Sequence, residues 1–375
     1  MSLWNVYVGG FTKEFADEVQ KLNQTANIFW KGTYPRFTAT PTEGIERLVF
    51  DDATGAVRHL GNAAGDLVSP AYLALHPSKP VLYAAEWARA GRLTAFAIGG
   101  DGTLERLSSI ETLGEFAVAV SIHPSGKFAY VAHWGDGSVT ACSLDAAGNP
   151  VTAELIARSE PRDGHESHLD QVRVSPGGNC LISTDLGLDE ITTFEVDAEG
   201  AVSIQSMARL AFPAHSSPRH VEFHPSGKTV YVNGEHDSMV HVLDAADGLP
   251  TRIRASHSTR PPGHDGVNSC SELHLHPDGH ALYVGNRGSD CVAVFAVDDA
   301  GDLTLAGYQP ALGRSPRAVR LDPTGRYLLV GNRNTSGVVS FLVGEDPLLE
   351  PVGEPVEVPS PSSLVFVPAA GSGAA

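Results

Sequence analysis

Apolar and polar residues alternate along most of this chain in short runs, and one run keeps returning. Leu-Ala-Leu-His-Pro-Ser-Lys at 73–79 reappears as Val-Ser-Ile-His-Pro-Ser-Gly at 120–126 and Val-Arg-Val-Ser-Pro-Gly-Gly at 172–178. It returns as Val-Glu-Phe-His-Pro-Ser-Gly at 221–227, Leu-His-Leu-His-Pro-Asp-Gly at 273–279 and Val-Arg-Leu-Asp-Pro-Thr-Gly at 319–325. The prolines at 77, 124, 176, 225, 277 and 323 are separated by 47, 52, 49, 52 and 46 residues. Period-two alternation rich in β-branched and aromatic residues, broken by Gly, Pro and Asp, is the signal of strands joined by tight turns.

Each unit has the same grammar. A first strand leads into the Pro-Ser-Gly type turn, and a second strand follows, such as Thr-Val-Tyr-Val-Asn at 229–233. A third strand, such as 291–297, an acidic-Gly turn and a fourth strand complete the unit. Four strands at this period make one blade of a β-propeller. Six units cover residues from about 69 to 354, and the remainder supplies a seventh. Residues 3–9 and 44–60 contribute three strands, and 363–367 repeats the first strand ahead of Pro368. The fold expected is therefore all-β: a seven-bladed β-propeller with four-stranded antiparallel blades, forming one domain over 1–375. Its last blade is closed by N- and C-terminal strands, which leaves no open sheet edge. Residues 13–43 do not fit a hairpin and are expected to form a long surface loop or lid.

A shared register turns the repeat into a map. Ten residues after each proline stand Trp87, Trp134, Leu186, Glu235, Arg287 and Arg333. Six residues before it stand Ala71, Val118, Asp170, Arg219, Ser271, Arg317 and, in the last strand, Ser362. Both sets are expected at one mouth of a central channel, half of it aromatic and apolar, the other half carrying four arginines and a glutamate. Guanidinium forks match carboxylate and phosphate geometry, so this half suits an anionic ligand. The competing reading pairs the arginines with Glu235, Asp170 and nearby backbone. Trp87 and Trp134 either stack on a ligand ring or pack between blades.

Glu235 is the leading acid/base candidate, with Arg219 beside it and His168 from the preceding blade. His133 and His236 flank the same ring and are alternatives to His168, whereas His165 reads as a loop residue. The histidines of the His-Pro turns (His76, His123, His224, His276) recur with the repeat and read as architectural. No metal or cofactor is expected. Glu235, Asn286 and Asn332 are conceivable hard oxygen ligands, but the neighbouring arginines oppose a cation.

Charge and composition narrow the rest. The net charge of −18 opposes binding to nucleic acid or an anionic membrane. No apolar run reaches the length of a membrane span, and the N-terminus lacks a basic-then-apolar leader layout, so a cytoplasmic location is expected. Cys142, Cys180, Cys270 and Cys291 lack CxxC spacing and are read as reduced, buried thiols.

Across essentially its whole length the chain resembles the seven-bladed propeller lactonases, a family that includes 6-phosphogluconolactonases and carboxy-cis,cis-muconate cyclase. The stretches that carry the resemblance include Tyr-Val-Gly-Gly-Phe-Thr at 7–12, Ser-Thr-Asp-Leu-Gly-Leu-Asp-Glu-Ile at 183–191 and Ser-Pro-Arg-His-Val-Glu-Phe-His-Pro-Ser-Gly at 217–227. Val-Asn-Gly-Glu-His at 232–236 and Val-Gly-Asn-Arg-Gly-Ser-Asp at 284–290 continue it. The resemblance implies a site using His168 or its neighbour, Arg219, Glu235 and Arg287. It also implies hydrolysis of the lactone of an anionic sugar acid, by a monomer or weak homo-oligomer acting on a small lactone or carboxylate. Two alternatives stand: lactonising cyclisation of a carboxylated muconate, or a non-catalytic propeller that binds proteins, although the Gly-His and Trp-Asp signatures of WD40 repeats are missing.

Overall fold

The computed structural model describes residues 2–15, 38–344 and 348–369, and these form seven four-stranded antiparallel sheets. Blade 1 runs from strand Pro70–Leu75 to Leu104–Glu111, blade 2 from Ala117–Ile122 to Pro150–Arg158, and blade 3 from Leu169–Val174 to Val202–Ala211. Blade 4 runs from Pro218–Phe223 to Leu249–Ser258, blade 5 from Ser269–Leu275 to Leu303–Pro310, and blade 6 from Pro316–Leu321 to Leu349–Glu357. In blade 7 the C-terminal strand Pro361–Pro368 pairs with the N-terminal strand Leu3–Gly10, and Ile45–Asp51 and Val57–Ala64 follow in the sheet. The fold is the seven-bladed β-propeller that the repeat predicts, with the two terminal strands completing one blade. Of the insertion at 13–43, residues 16–37 lie outside the described residues, and so does most of the expectation of a lid.

The chain divides into two compact units. One consists of Ala71–Gly99 with Leu104–Ser256, essentially blades 1–4; the other consists of Met1–Pro70, Gly100–Thr103 and His257–Ala375, essentially blades 5–7.

Within each unit the core lies between neighbouring blades, because the second and third strands are mostly buried on both faces. Val81, Tyr83, Leu93, Val120, Val131 and Leu144 form one cluster across blades 1 and 2. Ile182, Ile191, Val221, Val230, Val232 and Leu243 form the equivalent across blades 3 and 4. In the second unit, Val292, Val294, Val319, Leu328, Val330 and Phe341 join blades 5 and 6.

Polar groups lock the same seams. Tyr83 Oη donates to the Gly148 carbonyl and Tyr130 Oη to the Gly200 carbonyl, both at 2.6 Å. Each accepting carbonyl belongs to an acidic-Gly turn of the next blade, where the glycine holds a φ of +94° or +104° that a side chain would resist. The His-Pro histidines are architectural as expected. Nε2 of His76, His123 and His276 lies 3.1, 2.9 and 3.1 Å from the carbonyls of Gly126, Gly178 and Gly325 in the following blade. A carbonyl only accepts, so Nε2 carries the proton in each ring.

Candidate functional site

Six of the first strands carry a bulge at the same place, the one in blade 7 lying between Pro361 and Ser363. Pairing with the second strand shifts between Ala117 and Ala119, Leu169 and Gln171, Pro218 and Val221, Cys270 and Leu273, and Pro316 and Ala318. A bulge re-aims side chains that strict alternation would send to opposite faces. In blade 4 it brings two sequence neighbours onto one oxygen: Arg219 Nη2 and His220 Nε2 each lie 3.2 Å from Asp170 Oδ2. Asp170 itself occupies the equivalent bulge of blade 3.

The backbone freed by the bulge is satisfied by side chains. Thr184 Oγ1 donates to the Arg219 carbonyl at 2.6 Å, the His220 N–H donates to Asn233 Oδ1 at 2.8 Å, and the Val221 N–H donates to Gln171 Oε1 at 2.6 Å. These bonds fix the strand that presents Arg219 and His220.

Glu235 follows the second strand Thr229–Gly234 of blade 4, held by its N–H on the Ser217 carbonyl at 2.8 Å. Its Oε2 accepts from Arg219 Nε at 2.8 Å. Arg219 is thus clasped between Glu235 and Asp170, with the side chains of Arg219 and Glu235 both 2% exposed. At that burial, unscreened charge keeps the three groups together. Tyr72 of blade 1 meets the His220 ring edge-on, with centroids 6.0 Å apart and an interplanar angle of 76°. The register argument selected Arg219, Glu235 and Asp170, and the structure brings these three together.

The predicted aromatic half forms a row across blades 1–3. Trp87 stacks on Phe116 at 4.3 Å, Trp87 and Trp134 lie 6.3 Å apart, and Trp134 stacks on His168 at 4.3 Å and 18°. Trp87 and Trp134 therefore pack across blades. His168 Nδ1 lies 2.9 Å from the Trp134 carbonyl, which puts the proton of the neutral ring on Nδ1 and the lone pair on Nε2. The His168 N–H donates to Asp185 Oδ1 at 3.0 Å. Burial pushes the Asp185 carboxyl up despite the Ser167 hydroxyl and the backbone N–H groups of His168, Leu188 and Gly187 that donate to it.

Among the alternative histidines, His133 is fully buried, with Nε2 2.7 Å from Thr112 Oγ1 and Nδ1 3.1 Å from the Ser138 carbonyl. Burial lowers its pKa to about 4, so it is a neutral structural group. His236 Nδ1 lies 2.6 Å from Ser217 Oγ. His165 lies in the loop before blade 3, where it exchanges backbone hydrogen bonds of 2.9 Å with Arg162.

In the unit of blades 5–7, Arg287 ends the second strand of blade 5 and is 1% exposed. Its Nη2 donates to Ser269 Oγ at 2.7 Å and to the Cys270 carbonyl at 2.6 Å. Arg333 donates through Nε to Asn334 Oδ1 at 3.2 Å, and its Nη2 lies 3.4 Å from Ser315 Oγ. Arg317 sits over the Phe11 ring with Cζ 4.9 Å from its centroid. Of the amides weighed as oxygen ligands, Asn286 Oδ1 accepts from Thr259 Oγ1 and Asn268 Nδ2, both at 2.8 Å, while Asn332 Nδ2 donates to the Ala311 carbonyl at 2.7 Å. Both amides thus take part in local packing.

Sequence reasoning missed His220 and Tyr72. A signal was present: five residues before the repeat prolines, the first strands of blades 1, 3, 4 and 5 carry Tyr72, Gln171, His220 and Glu272. Gln171 and Glu272 at this register accept from the Val221 and Val319 N–H groups of the following blade, and alternation alone sent the whole set to the face opposite Arg219.

The profile of the family described as Lactonase, 7-bladed beta-propeller matches residues 28–366. The chain belongs to this lactonase family. A 6-phosphogluconolactonase of Formosa agariphila is 28% identical over 315 residues, covering 80% of this chain and 88% of that one. An uncharacterized protein of Lactococcus lactis, YwcC, is 27% identical over 287 residues, covering 75% and 82%. Among solved structures, the periplasmic gluconolactonase of Pseudomonas aeruginosa superimposes with a TM-score of 0.81 at 27% identity, covering 98% of this chain and 100% of that one. Among the described residues of this family member, no helix is long and apolar enough to cross a membrane.

Proposed function

We propose that this protein hydrolyses the lactone of an anionic sugar acid, with Glu235 as general base. The observation that carries this reading is the buried Glu235–Arg219–Asp170 arrangement, with the 2.8 Å Arg219–Glu235 bond at its centre. A carboxylate fixed by a guanidinium is a positioned proton acceptor. In the step proposed, a water oxygen attacks the lactone carbonyl carbon and gives its proton to Glu235. The ring C–O bond then breaks, and the departing alkoxide takes that proton back from Glu235 to leave the open-chain acid. His168, with its lone pair on Nε2, is the alternative base. The relatives support the substrate class: one is named for the phosphorylated gluconolactone and another for the unphosphorylated one. Arg287, Arg317 and Arg333 belong to the unit of blades 5–7, and their guanidinium groups suit an anion.

The test is hydrolysis of 6-phosphoglucono-, glucono-, galactono- and muconolactones by wild type, Glu235→Gln, His168→Gln and Arg333→Gln. The expected result is preference for an acidic lactone, a kcat loss of about 10²–10⁴ in Glu235→Gln, and a raised KM in Arg333→Gln. A folded Glu235→Gln enzyme with wild-type kcat overturns the assignment. No turnover of any lactone by the wild type overturns the hydrolase reading.

A further inference from the structure

The turn of blade 5 departs from its counterparts in blades 2 and 4. In blades 2 and 4 the turn between first and second strands reads His-Pro-Ser-Gly-Lys, at 123–127 and 224–228; in blade 5 it reads His-Pro-Asp-Gly-His, at 276–280. The turn stands at the start of strand Ala281–Arg287, whose other end carries Arg287. At the usual rise per residue the two ends are about 20 Å apart.

In the ordinary turn the histidine has a settled arrangement. In blade 2 the proton is on Nε2, directed to the Gly178 carbonyl of the next blade, and in both turns Nδ1 is an acceptor. The backbone N–H of Ser125 or Ser226 donates to it at 3.1 or 3.2 Å, and the serine hydroxyl, 2.9 or 2.8 Å away, has a hydrogen to offer. Blade 5 keeps the outward bond, His276 Nε2 to the Gly325 carbonyl, at 3.1 Å. It replaces the hydroxyl by a carboxylate, however, which has no hydrogen to give. Asp278 Oδ1 lies 2.6 Å from His276 Nδ1, and the backbone donor has receded to 3.4 Å. The residue that is Lys127 or Lys228 elsewhere is here His280, and its Nδ1 also closes on Asp278 Oδ1. Two imidazole nitrogens and a carboxylate oxygen therefore converge, all within 4.8 Å of one another, at a partly exposed position that water can reach. Lone pairs that converge in this way are held together either by protons on the imidazoles or by a metal ion.

We propose that the turn of residues 276–280 binds one divalent transition-metal ion through His276, Asp278 and His280. Two imidazoles with one carboxylate select the zinc, nickel and copper group over magnesium or calcium, which prefer all-oxygen sets. Water completes the coordination. The ion draws charge from His276 Nδ1 and so strengthens the Nε2–H bond to Gly325, coupling metal binding to the seam between blades 5 and 6. This site is independent of the lactone reading.

The experiment is calorimetric titration of tag-free protein with ZnCl₂ and NiCl₂, paired with thermal melts, on wild type and on the double variant Asp278→Ser/His280→Lys. That variant installs the turn already used by blades 2 and 4, so it keeps a sequence the fold accepts. The wild type is expected to take up about one equivalent, with a Tm that rises with metal. The variant is expected to bind at least about tenfold more weakly, with a Tm that metal does not move. Cobalt-substituted wild type should show d–d absorption that the variant lacks. Equal uptake by the two proteins would place the ion elsewhere and overturn the proposal. Absence of uptake by wild type would overturn it too, leaving the turn held by imidazolium–carboxylate pairs.

Discussion

Replacing Arg219 by Met should be among the most damaging single changes in this molecule. Methionine keeps the aliphatic part of the side chain, but the guanidinium between Asp170 and Glu235 disappears. Two carboxylates, one 2% and one 8% exposed, then lose the guanidinium they share, while His220 Nε2 stays 3.2 Å from Asp170 Oδ2. Removing one partner of a buried ion pair costs about 3–5 kcal/mol, mostly from the charge left behind. With about 2.1 cal/mol/K of unfolding entropy per residue, 375 residues give about 0.8 kcal/mol/K, so the Tm should fall by about 4–6 °C. The assay is thermal unfolding followed by tryptophan fluorescence, with Glu235→Gln and the pair Arg219→Met/Glu235→Gln alongside. Because the double variant removes one of the stranded charges, it should melt above Arg219→Met alone, which is a positive coupling. A Tm within about 1 °C of wild type for Arg219→Met would refute the reasoning. So would strict additivity in the double variant.

Two further outcomes rest on burial alone. His133 is buried neutral, with its pKa lowered to about 4 from an ordinary value near 6.5. The unfolded chain therefore takes up a proton that the folded chain refuses, so stability should decline as pH falls from about 6.5 toward 4. His133→Gln should flatten that slope in pH-dependent melts, and an unchanged slope would reassign it to other groups. Burial also raises the thiols of Cys142 and Cys180 to about 12 and lifts that of Cys291, and all four cysteines are buried and outside any disulfide. A thiol reagent at pH 8 should find almost none in the native protein and about four in denaturant; fast native labelling would show a local opening at one of these strands.

The candidate site was partly legible before the structure. Arg219, Glu235 and Asp170 follow from counting along the repeat, because equivalent positions in equivalent blades occupy equivalent places. His220 was not legible in the same way. Alternation sends it away from Arg219, and only the bulge between Pro218 and Val221 turns both onto Asp170 Oδ2. The role of the tryptophans was open for a related reason. Trp87 and Trp134 are each compatible with a ligand or with a neighbour, and their stacking on Phe116 and His168 depends on side-chain packing across blades.

By itself the sequence determined what is local and repeated: strand periodicity, turn chemistry, the number of blades and the use of both termini in one of them. Hydrophobic alternation and the Pro, Gly and Asp punctuation act over a few residues, so the chain states them directly. The tertiary structure alone decided which polar groups meet, since those contacts join residues about fifty positions apart through angstrom-scale shifts in register. Arg219 finds Asp170 in that way, and His76, His123 and His276 each find a carbonyl of the following blade. Within one turn the same logic holds at smaller scale: the sequence places Asp278 and His280 beside His276, and the backbone decides that their ligand atoms converge.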